Sequence, residues 1–212
     1  MVRFDIQADK TALIIIDMQN AFLKPGASLE RASGRDLIPG LNKLIKACHE
    51  AGIMVIFTCH TYRADGSDLD LVVEFAPELY ANKNTLIEGT SDVDIYDEME
   101  REENDVVINK RIYSAFYGTE LDSILRIHGI NTVIIGGVDT VFCCEATARD
   151  ARHRNYRVIF LSDGTATADQ PDLGWGVISA DDAQRCVLTV LANRYAEVLS
   201  VDETVSRIKG SR

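Results

Sequence analysis

Asp17, Lys110 and Cys143 each lie shortly after an apolar run of the sequence. A cysteine attacks a carbonyl carbon as the thiolate, and a nearby carboxylate can accept the thiol proton and later deliver it to a leaving amine. A lysine beside that carboxylate holds it ionised and adds positive charge near the thiolate. The three residue types together predict nucleophilic cleavage of an amide-like bond, provided that the fold brings them to one place.

Each of these residues also has an ordinary structural interpretation. Asp17 could cap a turn, Lys110 could be a solvated surface charge, and Cys143 and its neighbour Cys144 could be small core residues. The coincidence of all of them at predicted strand ends favours the chemical interpretation. The glycine pair at 136–137 permits a tight turn that could aim backbone N–H groups at a developing oxyanion.

Short apolar runs alternate with amphipathic segments along the chain. The runs predict six strands, at residues 12–16, 53–58, 105–108, 132–135, 156–161 and 196–199. The segments between them predict helices at residues 37–51, 94–103, 119–128, 142–154 and 179–193. This alternation predicts a single α/β domain over residues 1–212, with helices on both faces of a mostly parallel six-stranded sheet. The carboxyl ends of parallel strands share one edge of the sheet, where sites form.

Composition excludes several classes of partner. The chain has 212 residues, with 22 Lys+Arg against 33 Asp+Glu and a formal net charge of -11, so we expect neither nucleic-acid nor membrane binding. Its apolar runs are too short to cross a bilayer, and its first residues do not resemble a secretion signal. Five cysteines cannot all pair, which favours a reducing cytoplasm.

The four histidines do not have the spacing of metal ligands. Only His60 follows a predicted strand, so it is a candidate for contact with a substrate. The acidic residues Asp65, Asp68 and Asp70 are interpreted as a solvated loop.

Three longer motifs resemble a known family. The runs IIIDMQNAF (residues 14–22), NKRIYSAFYGTELDSILRIHGI (residues 109–130) and IIGGVDTVFCCEATARDA (residues 134–151) are similar to the isochorismatase-like cysteine hydrolases. That superfamily includes nicotinamidase, N-carbamoylsarcosine amidohydrolase, ureidoacrylate amidohydrolase and biuret hydrolase. The resemblance implies a Rossmann-like three-layer fold and a catalytic triad of Cys143, Asp17 and Lys110.

The resemblance also implies further site residues. It places a cis peptide at Val138–Asp139 and an oxyanion hole at the backbone N–H groups of Asp139 and Cys143. Asp139 stands where related sequences commonly have a small or hydroxyl residue. Substrate-binding roles are implied for Phe22, His60 and Gln184, although Phe22 could equally be a core aromatic and Gln184 an exposed helical residue.

Nicotinamidases carry an Asp-x-His metal-binding pair after the second strand, and here the matching stretch reads Cys59-His60-Thr61-Tyr62. The resemblance therefore implies an enzyme without a metal or other cofactor, closest to the branch that cleaves carbamoyl and ureido groups. True isochorismatases cleave a vinyl ether and lack the nucleophilic cysteine, so Cys143 argues against that reaction.

The expected function is cleavage of a C–N bond in a small linear amide or ureide through a thioester, with release of ammonia or an amine. Maleamate and N-carbamoyl amino acids are alternative substrates. A catalytically silent binding or scaffold protein, and a redox-sensing thiol protein, are alternatives from other classes. Relatives suggest a homodimer or homotetramer, with a small molecule as the other partner.

Overall fold

The protein has an α/β fold built around one six-stranded sheet, which confirms the predicted fold class. The structure is a computed structural model and describes residues 2–77 and 85–210. All neighbouring strands are parallel, in the order β3-β2-β1-β4-β5-β6. The strands are β1 (Thr11–Ile16), β2 (Met54–His60), β3 (Val106–Lys110), β4 (Thr132–Val138), β5 (Arg157–Ala166) and β6 (Glu197–Leu199).

Helices cover both faces of the sheet and create two cores. The α-helices of the described residues are α1 (Asn20–Leu23), α2 (Ile38–Ala51), α3 (Val72–Phe75), α4 (Leu121–Ile127), α5 (Glu145–His153), α6 (Ala180–Arg194) and α7 (Val201–Gly210). Helices α2 and α7 contribute to the core on one face, and α4, α5 and α6 contribute to the core on the other. No helix within residues 2–77 and 85–210 is long and apolar enough to span a bilayer.

Strand β1 shows why an uninterrupted apolar run forms a central strand. Leu13 and Ile15 enter one core, while Ile14 and Ile16 enter the other, and all four side chains are fully buried. Successive side chains of a strand point to opposite faces, so a strand covered on both sides must be apolar at every position.

Two helices end or begin at residues suited to capping. Helix α2 ends at Gly52, whose φ of 73° is the left-handed conformation that glycine adopts without a steric penalty. Helix α6 begins after Ser179, whose side chain accepts a hydrogen bond from the Asp182 N–H.

Strands β4 and β5 run further than their apolar runs predict. Gly137 lies within β4 with a φ of 119°, and a Cβ atom there would come within 2.1 Å of the Ile16 oxygen. Only glycine permits this close approach to β1. The glycine pair therefore brings β4 against β1 at the edge where the candidate site lies.

Two predicted helices differ from the structure. The helix expected at 94–103 is wrong: Ile95 forms a bridge with Gln19, and the Tyr96 N–H donates to the Met18 oxygen, so the backbone pairs with the chain after β1. The helix expected from 142 begins as α5 at Glu145, after a π-helical turn at Thr140–Cys144.

Candidate active site

Asp17 lies directly after β1. Strands β2 and β3 extend the sheet on one side of β1, and β4 to β6 extend it on the other, so Asp17 lies where the chain switches sides. Its N–H donates to the Thr58 carbonyl at 3.2 Å, and its Oδ1 accepts the Thr58 hydroxyl at 2.6 Å. Its φ of 49° turns the chain out of the strand, a conformation that Asp tolerates better than most residues. These contacts hold a fully buried carboxylate at the end of the sheet.

Lys110, the last residue of β3, reaches the same point. Its Nζ lies 2.8 Å from Asp17 Oδ2 and 3.3 Å from Cys143 Sγ, and it donates to the Ile112 carbonyl at 3.0 Å. Burial opposes its charge, but the neighbouring Asp17 and Cys143 outweigh burial and raise the pKa of Lys110 above its usual value. Lys110 therefore remains a cation inside the protein.

Cys143 sits in the π-helical turn between β4 and α5, with 4% of its surface exposed. Burial raises the pKa of its thiol to about 12; Lys110 lowers this pKa and Asp17 raises it. Burial thus outweighs the stabilisation of the thiolate by the Lys110 charge. The resting group is a neutral thiol, and a base must take its proton during attack.

The turn before the thiol is organised by Asp139. The Val138–Asp139 peptide bond is cis. The Asp139 carbonyl accepts the N–H groups of Phe142 and Cys144, and its Oδ1 accepts the N–H of Val141 at 3.1 Å. The N–H of Cys143 is not among these three donors.

Arg31 is a contact that the sequence analysis missed. Its Nε lies 2.5 Å from Asp139 Oδ2, and its Nη1 donates to the carbonyls of Leu29 and Glu30. The pair joins residues 108 positions apart, and no local pattern near Arg31 marks it. Asp139 is thus fixed through both carboxylate oxygens.

His60 is the last residue of β2 and is buried beside Asp17 and Cys143. A ring nitrogen of His60, Cys143 Sγ and an Asp17 oxygen all lie within 4.8 Å of one another. His60 Nε2 and the Tyr62 hydroxyl are 2.9 Å apart. Burial, followed by the charge of Lys110, lowers the pKa of His60 well below its usual value, so the ring is neutral.

The His60, Asp17 and Cys143 atoms could in principle hold a metal ion. However, Asp17 and Cys143 already contact the Lys110 ammonium, which repels a second cation. The donor set is therefore a poor fit for a metal.

Two other candidate residues belong to the surrounding framework. Phe22, in α1, is buried in the same core as Val138. Gln184, in α6, donates through Nε2 to the carbonyls of Ser162 and Thr165 and to the Thr165 hydroxyl. The amide nitrogen of Gln184 is thus committed to β5, and contact of either residue with a substrate stays a prediction.

Tyr113 and Phe142 form an aromatic pair that the sequence analysis did not single out. Their rings stack with centroids 5.6 Å apart, and the Tyr113 ring meets His60 edge-on at 6.4 Å. Burial, Cys143 and Asp70 raise the pKa of Tyr113, in that order of effect. The position of Tyr113, shortly after Lys110, was the available signal.

Comparison with known proteins identifies the family of this chain. The family model described as "Isochorismatase domain" matches residues 11–203. The ureidoacrylate amidohydrolase of Methylorubrum extorquens is 35% identical over 196 residues, which cover 84% of this chain and 77% of that protein.

Solved structures agree with the family match. A cysteine hydrolase from Pseudomonas syringae pv. phaseolicola 1448A superposes with a TM-score of 0.95 and 37% identity, covering 100% of this chain and 98% of that chain. An N-carbamoylsarcosine amidase from Thermoplasma acidophilum superposes with a TM-score of 0.70 and 28% identity, covering 91% of this chain and 97% of that chain. The chain belongs to the isochorismatase family.

Proposed function

We propose that this protein is a cysteine amidohydrolase that cleaves a C–N bond of a small linear amide or ureide through a thioester. One observation carries the proposal. The Lys110 ammonium lies 2.8 Å from the Asp17 carboxylate and 3.3 Å from the Cys143 sulfur, inside a fully buried cluster. Burying two opposite charges beside a thiol is costly, and such perturbed ionisable groups concentrate at functional sites, so this cluster supports a catalytic interpretation. Names of the relatives agree with the same reaction class.

In the first half of the proposed reaction, Cys143 Sγ attacks the substrate carbonyl carbon while Asp17 accepts the thiol proton. The S–C bond forms and the carbonyl oxygen becomes an oxyanion, which the N–H groups of Asp139 and Cys143 stabilise. Lys110 offsets the negative charge that moves between the sulfur and the carboxylate. A thiol with a pKa of about 12 needs this coupled transfer, because free thiolate is scarce at neutral pH.

In the second half, Asp17 delivers its proton to the leaving nitrogen as the C–N bond breaks. Ammonia or an amine departs, and the acyl group stays on Cys143 as a thioester. Asp17 then takes a proton from a water molecule, which attacks the thioester carbonyl. The C–S bond breaks, Asp17 returns that proton to the Cys143 sulfur, and an acid or a carbamate is released. Asp17 therefore acts as a base in each nucleophilic attack and as an acid towards each leaving group.

We further propose that the reaction is independent of metal ions, because Lys110 supplies the positive charge at the site. We also propose a single domain over residues 1–212 that works as a homodimer or homotetramer. The 94% exposed Trp175 and its neighbour Leu173 are apolar residues that a subunit contact would cover. All five cysteines are free, which supports the proposal of a reducing cytoplasm.

The test is ammonia release from a panel of biuret, ureidoacrylate, N-carbamoylsarcosine, maleamate and nicotinamide, with a chelator present. We expect turnover of at least one amide or ureide, loss of turnover in Cys143→Ala, and retained turnover in Cys144→Ala. Cys144 is the matched control, since it is the adjacent buried thiol. Full activity of Cys143→Ala would refute the mechanism. Silence of a folded protein on every substrate would favour a binding role instead.

A further inference from the structure

A cavity of about 470 Å³ is lined in part by His60, and a ring nitrogen of His60 lies within 4.8 Å of Cys143 Sγ. Its inner lining includes His60 and Tyr62, which are both buried and in contact with one another. Tyr113 also lines it and stacks on Phe142, the residue before Cys143. A molecule in this cavity would thus lie against side chains that adjoin the reactive atoms, and cavities of this size commonly hold small ligands.

The outer walls of this cavity are mainly apolar. Leu71, Val72, Phe75 and Ile112 all contribute to them. Leu71 is 63% exposed and Phe75 is 85% exposed. Large apolar side chains left in water at the mouth of a cavity gain free energy when an apolar group covers them. The walls therefore favour a substrate with an apolar portion.

The charges of the cavity disfavour an anion. Asp70 lies in the lining, and its Oδ1 accepts the Val72 N–H at 2.8 Å. None of the lining residues in the part of the chain that the structure describes carries a positive charge, because the buried His60 is neutral. A substrate carboxylate in this space would meet Asp70, while Lys110 and Arg111, the two cations whose charges act on His60, are already paired with carboxylates.

Two guanidinium groups near the site already have carboxylate partners. Arg111 pairs with Asp68 at 2.7 Å and also with Glu88, and it donates to the Thr61 carbonyl. Arg31 pairs with Asp139, the residue that precedes the turn carrying Cys143. A formal net charge of -11 further disfavours the approach of anions.

We propose that the substrate of this protein is an uncharged amide or ureide with a short apolar tail that occupies the cavity between His60, Phe75 and Tyr113. Substrates that carry a carboxylate in place of that tail are discriminated against. The inference rests on the proposed amidohydrolase function and names the substrate class of the same site. It separates this protein from its ureidoacrylate-cleaving relatives, whose named substrate carries a carboxylate.

The test compares substrates of equal length that differ only in the end of the tail. Pentanamide is matched with glutaramate, and propylurea with 3-ureidopropanoate. Ammonia release gives kcat/KM for each at neutral pH and low salt. We expect the uncharged member of a hydrolysed pair to be preferred by about tenfold or more, and the preference to shrink in high salt.

Two substitutions that each remove one negative charge test whether the preference for uncharged substrates arises inside the cavity. Asp70→Asn removes the carboxylate in the cavity and should raise the ratio of glutaramate to pentanamide turnover by about threefold or more. Glu74→Gln removes an exposed carboxylate of α3 outside the cavity lining and should leave that ratio unchanged. Phe75→Ala should lower kcat/KM for pentanamide more than for acetamide, because it removes part of the apolar wall.

Each outcome separates the inference from the function on which it rests. Preference for the carboxylate member of a hydrolysed pair would overturn the inference and leave the amidohydrolase function intact. An equal shift in Asp70→Asn and Glu74→Gln would also overturn it, because general surface charge would then account for the preference. Absence of hydrolysis of all four compounds, together with silence on the wider panel, would overturn both.

Discussion

Replacing Lys110 by methionine removes the only charge partner that the described structure provides for the buried Asp17 carboxylate. Lys110 and Asp17 are both inaccessible to solvent, and their charged groups are 2.8 Å apart. Methionine retains most of the aliphatic volume, so the main change is an uncompensated negative charge. Removing one member of a buried ion pair lowers the free energy of unfolding by about 3–5 kcal/mol. That is a large part of the stability of an ordinary domain, which is about 5–15 kcal/mol.

Urea unfolding followed by circular dichroism measures this cost. With a denaturant dependence of about 2 kcal/mol per molar urea, the midpoint of Lys110→Met should fall by about 2 M. The control is Lys43→Met, which removes the lysine of an exposed pair with Asp202, also at 2.8 Å. Exposed pairs contribute only about 0–1 kcal/mol, so this control should unfold close to the wild type.

A double variant tests the physical reason for the loss. Asp17→Asn combined with Lys110→Met leaves no unpaired charge, while Asn can still accept the Thr58 hydroxyl that Asp17 accepts. The double variant should therefore be more stable than Lys110→Met alone. The reasoning is refuted if Lys110→Met unfolds at the wild-type midpoint, or if adding Asp17→Asn lowers the stability further.

Two further predictions concern the backbone and the buried thiols. Gly137→Ala should prevent stable folding, because its Cβ would lie 2.1 Å from the Ile16 oxygen. The control Gly26→Ala has open space around its Cβ and should have a Tm only a few degrees below the wild type. Equal Tm values for the two variants would contradict this reasoning. Burial raises the pKa of three thiols to about 12, so between about pH 9 and pH 12 only the folded state keeps those protons. Their contribution to the free energy of unfolding should therefore be fully present below about pH 9 and should be lost as the pH rises towards 12. A urea midpoint unchanged across that range would contradict the assignment. The thiols are Cys48, Cys59 and Cys143.

The sequence was sufficient for the architecture, because strand and helix periodicities are local properties. Six apolar runs became six parallel strands, and residues directly after such strands meet at one edge. Asp17, Lys110 and Cys143 could be grouped for that reason. The segment 94–103 failed because its backbone pairs with the chain after β1, a tertiary contact that outweighs helical preference.

Other features of the site are tertiary and leave no local signal. The Arg31–Asp139 pair depends on a loop far away in sequence. The raised pKa of Cys143 depends on how completely the core on its face of the sheet encloses it. The contacts of Gln184 depend on the path of β5, which continues beyond its apolar run. Each of these properties emerges only when the elements pack.

The central claim is that Cys143 carries the acyl group during turnover. Rapid acid quenching during hydrolysis of a slow amide, followed by peptide mass spectrometry, tests it directly. The account predicts a mass increase equal to the acyl group on the peptide that contains Cys143 and Cys144, removed by hydroxylamine, absent in Cys143→Ala and present in Cys144→Ala. Steady ammonia release by Cys143→Ala, or an adduct that disappears only in Cys144→Ala, would contradict it.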